Sequence, residues 1–220
     1  MASFFRFDGP LVMFLNKIGN VILASILWLV GCIPVVTVGV STTALYYTVV
    51  KAIRAERGYV ATEFWNAYKH SIKKGILFGI FYLAAFAILL LDSIYMGAKG
   101  NLQSVVYQYI YMVAGGLLLE IAIYLFPLLS RFALPMRQLA KMALVSVFKF
   151  LPYTIGCNVI LLLVLVVARY VPLLLPFFLP GAAAYGMSYL LEPVLRYYTP
   201  EPETKEEKDA WYYSLSRPSH

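Results

Sequence analysis

The sequence predicts an all-α membrane protein: a polytopic helical bundle of about five transmembrane helices with two amphipathic interfacial helices. Three observations predict it. Hydrophobic residues make up 61% of the 220 and charged residues 13%, against roughly 25% charge in a soluble domain. Five apolar stretches, Leu11 to Val38, Gly75 to Gly97, Ser104 to Ser130, Phe150 to Ala168 and Pro172 to Leu191, meet or approach the ~20 residues an apolar helix needs to cross the hydrocarbon core. Lysine and arginine crowd into alternate connections, which the positive-inside rule reads as an orientation. A single transmembrane domain is expected over 1–191 and a polar cytoplasmic tail over 192–220.

The first stretch is too long for a signal-peptide core and lacks a small-residue cleavage site, so it is expected to stay on the mature protein. Cys32 and Cys157 lie inside predicted spans, where a thiol behaves as a small hydrophobe. In Ile33 to Tyr47, IPVVTVGVSTTALYY, Pro34 and Gly39 interrupt an apolar run. Proline removes a backbone donor and glycine loosens the chain, so a break or kink is expected. Two readings of it stand. Thr37, Ser41, Thr42 and Thr43 satisfy the freed backbone of a broken helix that lines a cavity, or the break is a cytoplasmic turn with Ser41 or Thr42 as the N-cap of the next helix. Ser41 to Ala55 is 15 residues, about 22 Å of helix at ~1.5 Å per residue, and is expected to be too short to cross unaided.

In Tyr59 to Lys74, Val60, Phe64, Tyr68 and Ile72 recur at intervals of four, while Glu63, Asn66, Lys69, His70 and Lys73 occupy other faces. That amphipathic pattern suits a helix on the membrane surface. Trp65, Lys69, Lys73 and Lys74 then serve as anchors in an anionic headgroup layer or as partner contacts. Gly75 and Gly79 form a GxxxG, which permits close helix contact. Asp92 lies five residues from the end of the second span, within reach of water.

Glu120 sits near the middle of the third span. A carboxyl at that depth faces the bundle interior or a wet cavity and often marks a substrate or proton path. The alternative is a structural hydrogen bond, with Asn158, midway along the fourth span, as the partner. Arg131 opens the second basic connection, and Phe132 to Phe148 repeats the amphipathic pattern. Arg137 and Lys141 stand one turn apart there, with Leu139, Ala143 and Val147 on another face. Pro172, Pro176 and Pro180 predict a last span kinked in its first half, and Gly181 to Gly186 a closely packed second half. The tail includes EPETKEEKDAWYY, whose composition predicts flexibility.

The basic connections and the C-terminus are expected in the cytoplasm. Five crossings then put the N-terminus, with Arg6 and Lys17, outside; six crossings, with Ser41 to Ala55 as a further one, put both ends inside. No GxxxxGK, GxGxxG, CxxC or HExxH is present, and the histidines are His70 and His220. No catalytic residue, cofactor, metal or nucleic-acid partner is therefore expected.

The text ILWLVGCIPVVTVGVSTTALYY at Ile26 to Tyr47 continues through Gly58 and Tyr59 into TEFWNAYKHSIKKG. It resembles the YesL family, bacterial integral membrane proteins carrying a domain of unknown function, and Arg131 at the head of the second basic connection fits as well. The specific text lies within about residues 16–75. The resemblance implies a multi-pass protein of the bacterial plasma membrane with an accessory role in oligosaccharide uptake beside carbohydrate importers of the ABC type. It implies no catalytic residues. Two functional expectations follow: a non-enzymatic accessory component that packs against importer membrane subunits, or a small independent carrier or channel using Glu120, Asn158 and the Thr37 to Thr43 break.

Overall fold

The computed structural model describes residues 10–99, 102–172 and 174–199, and every element among them is helical. Helix α1 spans Pro10–Gly31. The Cys32 N–H still reaches the Trp28 carbonyl at 2.9 Å, but Pro34 sits in extended backbone and the chain turns. A 3-10 turn, Val35–Thr37, leads into α2, Val38–Thr48, which a π turn over Val49–Arg54 prolongs. Thr37 closes the break, because its hydroxyl lies 2.7 Å from the Gly31 carbonyl and 2.6 Å from that of Pro34. Ser41 and Thr42 lie inside α2 and do not cap it.

Helix α3 is continuous from Val60 to Lys99, 40 residues. Its contour of about 60 Å is twice the ~30 Å hydrocarbon thickness, so the basic amphipathic segment and the second span are one helix of which only part fits a crossing. The buried face of its first half runs Val60, Phe64, Ala67, Ser71 and Gly75. Ile72 is 38% exposed. A strict interval of four drifts about 40° per step around a helix of ~3.6 residues per turn, which carries position 72 off the face that begins at Val60.

Helices α4 (Leu102–Arg131), α5 (Met136–Lys149), α6 (Leu151–Tyr170), α7 (Leu174–Phe177) and α8 (Leu179–Tyr197) complete the bundle. Among the described residues five helical runs are long and apolar enough to cross a membrane: Val12–Gly31, Val35–Arg54, Val60–Ala98, Gln103–Arg131 and Leu151–Tyr170. The expected number stands, but one member changes. Val35–Arg54 enters, because the 3-10 and π turns lengthen α2 at both ends to 20 residues. Pro172 to Leu191 leaves, because the chain breaks at Phe178 and α8 continues to Tyr197 with Glu192 and Arg196 in it. Ser25 of α1 repairs that break from outside: its Oγ accepts the Gly181 N–H at 2.9 Å and lies 3.3 Å from the Phe178 carbonyl.

Two cores flank α2. Ala44, Leu45, Val49 and Ile53 pack with Val21 and Ala24 of α1 and Val60 and Phe64 of α3. Tyr46 and Val50 look the other way, into Leu125 and Leu128 of α4, Leu139 and Val147 of α5, and Leu191 and Leu195 of α8. The helix also touches α3 backbone to backbone. A Cβ on Gly39 would stand 2.7 Å from the Gly75 carbonyl oxygen and 3.1 Å from the Gly79 Cα, so the GxxxG of α3 finds its partner within the same chain.

Candidate functional site

Two polar clusters lie inside this frame. The first joins α4 to α6. The Asn158 amide donates to Glu120 Oε1 at 2.6 Å and lies 3.1 Å from the Thr154 carbonyl, which fixes its orientation. One turn further along the same pair of helices, the Tyr124 and Thr154 hydroxyls are 2.8 Å apart. The helices run antiparallel, so residues four apart on one meet residues four apart on the other. Glu120 Oε2 is buried and has no hydrogen-bond partner among the described residues. The sequence brought Glu120 and Asn158 forward because each interrupts an apolar run; Tyr124 and Thr154 carried no such mark, since both are ordinary in a span.

The second cluster ties α2, α4 and α8 together. Arg131 Nη2 meets Glu192 Oε2 at 2.8 Å, with side chains only 6% and 9% exposed. The Tyr46 hydroxyl donates to Glu192 Oε1 at 3.1 Å. Nearby, Arg54 Nη1 donates to the Ser188 carbonyl at 2.8 Å, and its guanidinium lies 4.0 Å from the centre of the Tyr189 ring. The π turn makes this reach possible: a wider turn displaces the last residues of the helix relative to α-helical spacing, and Lys51 and Arg54 leave it in different directions. Lys51 goes to Glu63 at 2.7 Å and to the Tyr47 hydroxyl at 3.1 Å.

Two expectations are corrected here. Arg131, grouped by sequence with the interfacial contacts, turns inward into an ion pair. Glu192, counted as the first residue of the polar tail, is buried in α8. A signal for it was present: in SYLLEPVL a lone acid is flanked by apolar residues on both sides, the same pattern that singled out Glu120. Residues beyond Thr199, including the acidic stretch and Trp211, lie outside the described residues.

The other candidates are scattered. Lys69, Lys73, Arg137 and Lys141 are exposed, and Trp65 is partly so on the outer side of α3. Lys74 reaches the Leu134 carbonyl at 2.9 Å. Asp92 is half-buried on the distal part of α3, away from both clusters. Pro34, Thr37 and Gly39 form the α1–α2 turn and the α2–α3 contact, while the Thr42 and Thr43 hydroxyls bond back to the Val38 and Gly39 carbonyls at 2.8 Å each. Lys17 pairs with Glu56 at 2.8 Å. Glu56 has φ 55°, in the left-handed region that non-glycine residues rarely adopt.

The chemistry these groups support is narrow. One carboxyl is held by a carboxamide, and another is neutralised by a guanidinium. Among the described residues no group of three or more His, Cys, Asp or Glu side chains gathers to hold a metal.

Comparison with curated proteins and with solved structures finds no match. Comparison with protein families does: residues 21–93, from the middle of α1 through the α2–α3 contact, match the family described as "Protein of unknown function, DUF624". The YesL family contains that domain, so the resemblance read from ILWLVGCIPVVTVGVSTTALYY agrees with the match over these residues, which cover about a third of the chain.

Proposed function

We propose that this chain is a non-enzymatic integral protein of the bacterial plasma membrane that serves as an accessory component of carbohydrate uptake of the ABC type. Its basic connections and C-terminus face the cytoplasm in this reading. One observation supports it above others. The interior polar groups are mostly spent on one another, whereas large apolar faces stand open on α3, α4 and α6, whose most apolar windows are only 17%, 28% and 17% buried. Such faces pack as well on another helix as on lipid, through van der Waals contact and small residues. Exposed Lys69, Lys73, Arg137 and Lys141 add a cationic surface suited to anionic headgroups or an acidic partner.

The test is capture from membranes. A tagged copy, solubilised in a mild detergent that keeps the importer whole, is expected to bring importer membrane subunits with it. Recovery of the chain alone under those conditions ends the proposal.

A second reading rests on the bare Oε2 of Glu120. A carboxyl oxygen with an unused hydrogen-bonding site in a span suits a small carrier or channel. Purified protein in liposomes then moves a solute, and Glu120→Gln slows it. Absence of movement for a broad set of sugars and ions removes this reading and leaves the first intact.

A further inference from the structure

We infer that the cavity where α1, α2, α4, α6 and α8 meet is a binding site for one acyl chain of a membrane phospholipid. Its volume is about 300 Å³, roughly twice that of the ~150 Å³ apolar cavity that holds benzene. Trp28, Tyr46, Leu119, Phe126, Ala183 and Met187 are among its walls.

The chemistry of the walls selects the occupant. The Trp28 indole N–H already donates to Thr42 Oγ1 at 3.3 Å, and the Thr42 hydroxyl donates to the Val38 carbonyl at 2.8 Å. The Tyr46 hydroxyl is given to Glu192. The polar side chains of the wall are thus engaged with the protein itself, and the remaining walls are aliphatic or aromatic, which suits an apolar occupant. An empty space of this size forfeits the dispersion contacts of every atom that lines it, and water gains no hydrogen bonds by filling it.

The mouth selects the source. Leu119 is 55% exposed and lies on α4 in line with Met112, two turns away and 74% exposed. The cavity thus opens on the apolar flank of a membrane-crossing helix, where acyl chains are the solvent. An α-helix with side chains is about 10–12 Å across, too wide for this space. A polymethylene chain is thin enough to enter and flexible enough to follow an irregular wall. The site is independent of importer association and of Glu120, neither of which it uses.

The experiment uses the full chain in nanodiscs. The sequence has 3 tryptophans, so Trp65→Phe with Trp211→Phe leaves Trp28 as the sole reporter. Phosphatidylcholine brominated on its acyl chains is then titrated against the unbrominated lipid. Bulk contact alone makes quenching proportional to the brominated fraction, whereas a retained chain gives quenching that saturates at a low fraction. Ala183→Phe, or Ala122→Leu from the opposite wall, fills the cavity and is expected to return the curve to proportionality. Mass spectrometry after extensive detergent washing is expected to find one phospholipid per chain in the parent and none in the filled variants. Proportional quenching in the parent overturns the inference, as does saturable quenching that survives both filled variants. Recovery of a free fatty acid, or of a partner protein, in place of the phospholipid also overturns it.

Discussion

Two runs of this chain satisfy the same requirement of length and apolarity and occupy different surroundings. In Val35–Arg54, 72% of the most apolar window is buried inside protein; in Val60–Ala98 the share is 17%. Composition explains the difference. The first contains Gly39, Ser41, Thr42, Thr43, Ala44 and Thr48, while the distal part of the second presents Phe81, Phe86, Ile88, Leu90, Leu91 and Ile94 outward. In lipid the largest apolar side chains need no shelter. The positions at which backbones must approach go to small residues, and a threonine hydroxyl can be buried there when it returns its proton to a carbonyl of its own helix. Thr42, Thr43 and Thr48 all do this at 2.8 Å. A membrane bundle therefore places its moderately apolar helix at the centre and its greasiest helices outside.

The largest test of that contrast removes the charge at the centre. Glu192→Ala leaves the Arg131 guanidinium, 6% exposed, without its carboxylate and Tyr46 without its acceptor. Breaking a buried pair from one side costs about 3–5 kcal/mol, so unfolding in mild detergent is expected at markedly lower temperature or denaturant. The exposed pair of Lys17 and Glu56 has side chains 43% and 59% accessible, and Glu56→Gln is expected to cost under ~1 kcal/mol. Equal losses for the two variants contradict a buried centre.

Next comes packing. Gly39→Ala drives a Cβ against the Gly75 carbonyl oxygen at 2.7 Å, and overpacking of this kind costs about 1–3 kcal/mol. Gly115 and Gly116 of α4 have nothing within 4 Å of an added Cβ. Alanine there is expected to be neutral or to stabilise by up to ~1 kcal/mol, the difference in helix propensity. Equilibrium unfolding of the three variants under one detergent condition reads the contrast directly.

These particulars show how far the sequence could be read. Apolar length alone gave the helical membrane class and four of the spans, since lipid imposes that length on any crossing helix. It misplaced Pro172 to Leu191 and undervalued Ser41 to Ala55. Pro34, Pro176 and Pro180 marked where the chain would bend, but how far a 3-10 turn and a π turn prolong α2, and how the break at Phe178 is closed, depend on tertiary contacts such as Ser25 with Gly181. Glu120 and Asn158 were legible as a pair because a buried polar group in a span must find a partner within reach. The pairing of Arg131 with Glu192 was not, although Glu192 carries the same lone-acid mark as Glu120. Each stands at a boundary where the bland reading, an anchor or the start of a tail, fits the local text equally well, and their pairing spans 61 residues of chain.

A smaller effect probes the α4–α6 contact. Tyr124 is 1% exposed, and its hydroxyl is 2.8 Å from that of Thr154. Tyr124→Phe keeps the ring and removes the bond, at a cost of about 0.5–1.5 kcal/mol. The cost is expected toward the lower end of that range, because Thr154 Oγ1 also lies 3.2 Å from the Val147 and Phe150 carbonyls and keeps an acceptor for its proton.

The smallest expected effect is the most telling about the outside. Leu163 of α6 is 61% exposed, whereas Leu128 of α4 is fully buried. Truncating a buried leucine costs about 2–5 kcal/mol, because the hole it leaves stays empty. At Leu163 the hole is filled by whatever surrounds the helix, and detergent or lipid tails close over it. Leu163→Ala is therefore expected to change unfolding by less than ~0.5 kcal/mol, as for a surface site, when the chain is studied alone. The same variant examined in a complex distinguishes solvent from partner. If the α6 face is covered by another protein, the hole can no longer be filled by mobile tails, and the cost moves toward the buried-leucine range only when that partner is bound.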